Sequence, residues 1–166
     1  HENSCGQYCI VGFELDHTLS ESGGVSRGIC SYGSDSMLLD VAEHHEIRME
    51  EDGKIYGNNS VTGENHIGID GKALCSMNMW CFTPDYFEKS YAIFKEFLKE
   101  NAMELKKEYY IPYAVDRMIK SGESSCEVTA TPSHWFGVTF KEDRPGVVAK
   151  FRELAENGTY PSPLYR

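Results

Sequence analysis

Residues 73–87 read Ala-Leu-Cys-Ser-Met-Asn-Met-Trp-Cys-Phe-Thr-Pro-Asp-Tyr-Phe, and the fold turns on how that stretch is read. It opens as an apolar run broken only by Ser76 and Asn78. Thr83 and Pro84 then supply a helix start. A threonine hydroxyl accepts from unpaired backbone N–H groups as the N-cap, and a proline in the first turn loses no hydrogen bond. A short apolar run with such a signal behind it is a buried strand feeding a helix. Ligands of α/β proteins gather beyond the carboxyl ends of such strands. Asn78 is therefore either a satisfied core amide or a group aimed into a site.

Downstream of this stretch, residues 84–100 form the strongest helical pattern. Phe87, Tyr91, Phe94 and Leu98 fall at steps of four, three and four, which predicts one inward stripe. A second helix is expected over 110–120, with Pro112 in its first turn, Ile111, Val115, Met118 and Ile119 inward, and Ser121-Gly122 as its stop. Strands are expected over 125–131 and 135–140. A last helix over 144–157 is capped by Asp143, buries Val147, Val148, Phe151 and Leu154, and stops at Gly158. Residues 159–166 read as a tail.

Upstream, 7–15, 25–32 and 37–49 read as strands joined by Gly, Ser and Asp turns, an antiparallel or mixed region. Residues 50–72 are acidic and then rich in Gly and Asn. They read as an excursion loop over one face, with a ragged hairpin near Lys54. The order, strands first and then strand–helix–helix–strand–strand–helix, suits the second half of a mixed-sheet α/β domain. The whole of 1–166 thus reads as a single partial domain. The chain opens at His1 and is almost at once in a strand, so it is expected to be the remainder of something longer.

With 166 residues, 40% hydrophobic residues, ten Tyr and eight Phe, the chain can build a sizeable core. A net charge of -10 argues against nucleic-acid and anionic-membrane partners, which select basic faces. It leaves room for a phosphorylated ligand held by one local cation. No run reaches the ~18 apolar residues that crossing a bilayer takes. Of the six cysteines (Cys5, Cys9, Cys30, Cys75, Cys81 and Cys126), none forms a C-x-x-C pair, and the last four lie in strand-like apolar runs. A reduced, cytoplasmic protein is expected in preference to a disulfide framework.

Several groups of residues bear on chemistry. Arg27-Gly28 couples a charge to a residue that lets another molecule approach the backbone, or is a surface arginine beside a bulge. In Glu43-His44-His45-Glu46, strand alternation sends Glu43 and His45 to one face and His44 and Glu46 to the other, so the histidines cannot chelate one ion. Lys141 and Asp143 open the last helix, where a lysine suits a phosphate, although a capping turn with solvated charges explains them as well. Trp80, Trp135 and Phe136 read as core. Cys30 and Cys81 would be nucleophiles only beside a histidine base.

Taken in order, the segments 8–13, 16–21, 25–30, 76–84 (Ser-Met-Asn-Met-Trp-Cys-Phe-Thr-Pro), 108–112 (Glu-Tyr-Tyr-Ile-Pro) and 135–145 (Trp-Phe-Gly-Val-Thr-Phe-Lys-Glu-Asp-Arg-Pro) resemble the sugar-phosphate nucleotidyltransferases. The nearest branch is that of the bacterial glucose-1-phosphate uridylyltransferase-like proteins. The resemblance covers nearly the whole chain and implies a Rossmann-like mixed sheet, present here as its C-terminal half. It also implies transfer of a nucleotidyl group from an NTP to a sugar 1-phosphate, with Mg²⁺ in the complete enzyme. By position, Gly28 would offer its backbone to a sugar hydroxyl, Glu43 would accept from sugar hydroxyls, and Asn78 would lie in the strand flooring the pocket. His44 stands where the family carries Lys or Arg for the sugar phosphate, leaving Arg27 or Lys141 to compensate. The second metal aspartate has no counterpart in 137–139, and Asp143 is the nearest carboxylate. Three readings are expected in competition: an enzyme fragment supplying the acceptor side, inactive alone; a non-catalytic module binding a sugar phosphate or nucleotide-sugar; and a purely structural interaction domain. A sheet cut in half would expose an edge, so self-association is expected as well.

Overall fold

The computed structural model describes residues 6–20, 23–105, 107–138 and 141–163. Cys5, Glu21, the 139–140 end of the expected sixth strand and the last three residues of the tail lie outside these. The chain divides into two compact units, His1–Ser133 and His134–Arg166, each described by itself.

The first unit is an α/β fold on a seven-stranded mixed sheet, an arrangement compatible with a Rossmann-like class. Its strands are β1 (Gln7–Glu14), β2 (Val25–Tyr32), β3 (Leu38–Met49), β4 (Ile55–Asn59), β5 (Ile67–Ile69), β6 (Leu74–Cys81) and β7 (Ser125–Thr131). They lie in the order β5-β4-β3-β2-β6-β1-β7. β1 and β7 are parallel, and every other neighbouring pair is antiparallel. Helices α1 (Asp85–Asn101) and α2 (Ile111–Lys120) connect β6 to β7.

Strand alternation divides the apolar residues between two cores. Tyr8, Ile10, Cys30, Leu74 and Val128 join Val115 and Met118 of α2 in the helix-side core. Leu15, Ile47, Ile55 and Cys75 form the core of the opposite side. The central run is thus a strand, as the sequence predicts, with Leu74 and Cys75 facing opposite ways.

The structure departs from the sequence reading in several places. Residues 50–72 are not a loop lying over a face: β4 and β5 extend the sheet, and Ile55 is buried in the opposite-side core. Helix α1 is rotated from its expected orientation. Phe87 (74% exposed), Tyr91 (61%) and Leu98 face outward, Phe94 of the same stripe is half-buried against Tyr109, and Tyr86 is buried. Tyr86 stacks on Phe82 at 3.8 Å and meets Tyr8 edge-on, while Ser90 bonds Tyr109 and Ile93 packs on the core. Residues 86, 90, 93 and 97 repeat the same four–three–four spacing one residue earlier, so periodicity alone cannot choose between the stripes. Likewise Ile111 of α2 is 40% exposed, its inward place taken by Ala114.

The helix starts at Asp85, one residue beyond the expected proline, and its entry is held by the side chain of that residue. Asp85 accepts from Tyr8 (3.1 Å), Lys89 (2.9 Å) and Thr83, tying β1 to α1. Burial works to raise the Asp85 carboxyl, but the hydrogen bonds from Lys89, Thr83, the Gly6 backbone and Tyr8 outweigh it and hold it well below the usual carboxylate range.

In the second unit, 135–138 are irregular rather than a strand. The segment holds Trp135 against Gly137, where an added Cβ would come within 2.7 Å of the indole, so only glycine permits this fold-back. Helix α3 (Arg144–Glu156) buries none of its residues within the described structure. Val148 and Phe151 are exposed, although Phe151 meets Phe136 edge-on at 5.1 Å. Asp143 occupies the N-cap without a side-chain cap bond, and Gly158 (φ +78°) ends the helix as expected.

Candidate sugar-binding surface

Sheet register aligns a row of small residues across four adjacent strands. Gly12 of β1 faces Ser76 of β6, Ser76 faces Gly28 of β2, and Gly28 faces Glu43 of β3. Directly opposed residues share a face, so this row lies on the helix side of the sheet. Gly12, Ser76 and Gly28 are buried, and Glu43 at the end of the row is half-buried.

Gly28 is essential to that packing. A Cβ there would come within 2.6 Å of Val41 Cγ1, so glycine lets Val41 lie across β2, while Glu43 Oε2 at 3.5 Å would be in ordinary contact. Burial is the largest influence on Glu43 and raises its carboxyl above the ordinary value, while His45, His44 and Arg27 oppose the rise. A half-buried carboxylate suits a ligand offering hydroxyl donors.

Asn78 is exposed rather than a core amide. Between Ile10 and Gly12, the single β1 residue Val11 faces three residues of β6, Met77, Asn78 and Met79. The surplus is absorbed at Asn78, whose φ of +56° is a left-handed conformation that asparagine tolerates better than most residues. Its backbone N–H donates to Ser76 Oγ at 3.2 Å, linking the bulge to the row.

Arg27 and His44 oppose each other on the other face of the sheet. Arg27 donates to the Thr18 hydroxyl (3.2 Å) and carbonyl and to the Ser26 carbonyl (2.8 Å), clamping the 3-10 turn Leu15–Thr18. Burial lowers its pKa, with Cys75 and Glu43 acting the other way. His44 is buried with Nδ1 2.8 Å from the Ala42 carbonyl. The structure thus brings Gly28 and Glu43 together and sets Arg27 behind them. Lys141 and Asp143 belong to the second unit, in the 3-10 turn Lys141–Asp143 that leads into α3.

Three residues that the sequence reading passed over join the Glu43 side. Ser76 lies in the row. Ser26 Oγ and His45 Nδ1 are 2.8 Å apart and exposed, two residues along from Gly28 and Glu43 on the same face. Alternation from Gly28 was the available signal for Ser26. Tyr110, just before α2, has its phenol pKa raised by a hydrogen bond to Glu108 first, then by burial, the Glu108 charge and the charge of Glu43. Tyr110 therefore lies within electrostatic reach of Glu43, a proximity set by tertiary packing.

The metal expectation fares differently. Mg²⁺ takes near-octahedral oxygen ligands. Among the described residues, the group bringing three ligand atoms within 4.8 Å of one another is Glu14, Asp16 and His17, and Asp143 is not in it. Lys72 Nζ already sits 2.5 Å from Glu14 and 3.3 Å from Asp16, supplying the positive charge, and the third group is an imidazole. Among the described residues, neither place gathers the set of oxygen ligands that Mg²⁺ takes. An open depression of about 380 Å³ between Asp16, Lys54 and Asp70 adjoins this cluster rather than Glu43. The Glu43 end of the row is the better candidate, because a half-buried carboxylate and the exposed Ser26–His45 pair share one face there.

The buried thiols are not nucleophiles. Burial first, then the neighbouring Cys75 and Cys126, push Cys30 up to about 12. No protein-family model matches this chain, and no curated protein matches it.

Proposed function

We propose that this chain is the acceptor-holding, C-terminal half of a sugar-phosphate nucleotidyltransferase with a Rossmann-like sheet, and that the row ending at Glu43 receives the sugar of a sugar 1-phosphate. The observation that carries the reading is the register-aligned Gly12–Ser76–Gly28–Glu43 row. The half-buried Glu43 carboxylate, with exposed Ser26 and His45 beside it on the same face, suits a ligand rich in hydroxyl donors, and Tyr110, within electrostatic reach of Glu43, can add an aromatic contact. The ordered sequence motifs supply the reaction class.

In that reading the sugar phosphate attacks the α-phosphorus of an NTP in line, and pyrophosphate leaves. Catalysis rests on positioning and charge neutralisation. Glu43 and the Gly28 backbone hold the acceptor so that its phosphate faces the nucleotide. The NTP-binding elements and Mg²⁺ belong to the complete enzyme, and this chain by itself is inactive.

Thermal shift with glucose 1-phosphate, glucose and inorganic phosphate tests the binding. A rise in Tm with glucose 1-phosphate that Glu43→Gln removes supports the reading, and no rise with any sugar phosphate sinks it. Pyrophosphate release from UTP and glucose 1-phosphate, assayed on a longer polypeptide that includes a glycine-rich NTP loop, separates an enzyme half from a non-catalytic binding module.

A further inference from the structure

Cys9 and Cys81 are directly opposed residues of the antiparallel pair β1–β6. Opposed antiparallel residues lie about 4.5–5.5 Å apart at Cα, inside the roughly 4.4–6.8 Å range that a disulfide spans. Their side chains share one face. Cys9 alternates with the buried Tyr8 and Ile10, and Cys81 follows Trp80, which packs on the helix-side core, so both thiols lie on the side away from α1 and α2. Cys81 is exposed and Cys9 half-buried. Cys9 Sγ lies 3.4 Å from the Thr129 hydroxyl and 3.7 Å from the Ile10 carbonyl, and bridging to Cys81 takes a change of staggered rotamer about its Cα–Cβ bond.

We propose that Cys9 and Cys81 form a cross-strand dithiol that a hydroperoxide oxidises reversibly to an intramolecular disulfide. One thiolate attacks the peroxide O–O bond, giving a sulfenic acid and releasing an alcohol, or water from hydrogen peroxide. The second thiol displaces the sulfenic oxygen as water and the S–S bond closes. Two electrons pass from the sulfurs to the peroxide, and a small dithiol returns them by exchange.

The other described cysteines contrast with this pair. Cys30, Cys75 and Cys126 are buried, and burial raises all three thiols, Cys30 and Cys126 to about 12, so they remain protonated and unreactive. Oxidation is thereby directed to the accessible pair. The bridge would lie beyond the Asn78 bulge, at the end of β6 where only Ile10–Trp80 and Cys9–Cys81 register the strand against β1. It would pin that end and fix the angle at which Asn78 is presented.

The test is peptide mapping of the whole chain after hydrogen peroxide, without reductant and then with dithiothreitol. The expected result is a Cys9–Cys81 linked peptide, lighter by two hydrogen atoms, that dithiothreitol dissolves. Tm should rise on oxidation and return on reduction, and Cys9→Ser and Cys81→Ser should each abolish both effects. Cys9→Ser keeps size and polarity at a half-buried site, so a folded variant is available. The proposal is overturned if both thiols remain open to iodoacetamide after peroxide, if Cys81 links two chains, or if either cysteine pairs with another partner such as Cys5.

Discussion

At position 28 a hydrogen atom decides how Val41 packs across the sheet. A side chain there would intrude on the space that Val41 now fills, with the first added carbon 2.6 Å from Val41 Cγ1. Gly28→Val should cost about 1–3 kcal/mol in urea unfolding through overpacking and abolish the Tm response to glucose 1-phosphate. Glu43→Gln separates stability from binding. Burial raises the Glu43 carboxyl, so its protonated form favours the folded state. That contribution is complete below the ordinary glutamate value and is lost as pH rises through the raised one. The glutamine variant should therefore be the more stable protein at neutral pH, with the gap closing in acid. Its affinity for the sugar phosphate should nevertheless fall roughly ten- to a hundredfold, the scale of a hydrogen bond to a charged group. An unchanged affinity would remove Glu43 from the site.

Among the elements, α1 holds the clearest lesson. Two stripes, 86/90/93/97 and 87/91/94/98, share one spacing, and the second is the more apolar because Ser90 interrupts the first. Burial nonetheless goes to the first, since Phe82 and Tyr8 offer Tyr86 a stacked and an edge-on partner, and Asp85 ties the helix start to β1. Tyr86→Ala should cost about 3–5 kcal/mol in chemical denaturation, the range for emptying a buried aromatic site. Phe87→Ser should stay within about 0.5 kcal/mol, as exposed substitutions do. Similar losses from the two would mean that Phe87 is buried in solution. The expected strand at 135–140 misled for a related reason. A β-rich run becomes a strand only when a neighbour takes its backbone hydrogen bonds, and 135–138 have no strand neighbour among the described residues.

On the scale of the whole molecule, the sheet stays open along part of β6. β2 reaches β6 only at Gly28–Ser76 and Ile29–Cys75, so among the described residues 77–81 have β1 as their only strand neighbour. Phe87, Tyr91 and Leu98 leave α1 with an apolar outer face. A bare strand edge and an apolar helix face both favour association. Sedimentation velocity should show the weight-average mass rising with concentration, and a Phe87→Lys/Tyr91→Lys variant should reverse much of that rise. A single monomeric boundary at high concentration would count against it. No described helix is long and apolar enough to cross a membrane. The sequence by itself determined the strand at 74–81 and the helix behind it, the mixed α/β class, and the separation of Glu43 from His44, because each follows from local periodicity and strand alternation. Tertiary structure alone decided which stripe of α1 is buried, that 55–59 and 67–69 join the sheet, that Arg27 clamps a turn, and that Ser76, Gly28 and Glu43 stand in one row. Register between strands far apart in the chain is set by packing of whole faces, and no local pattern carries it.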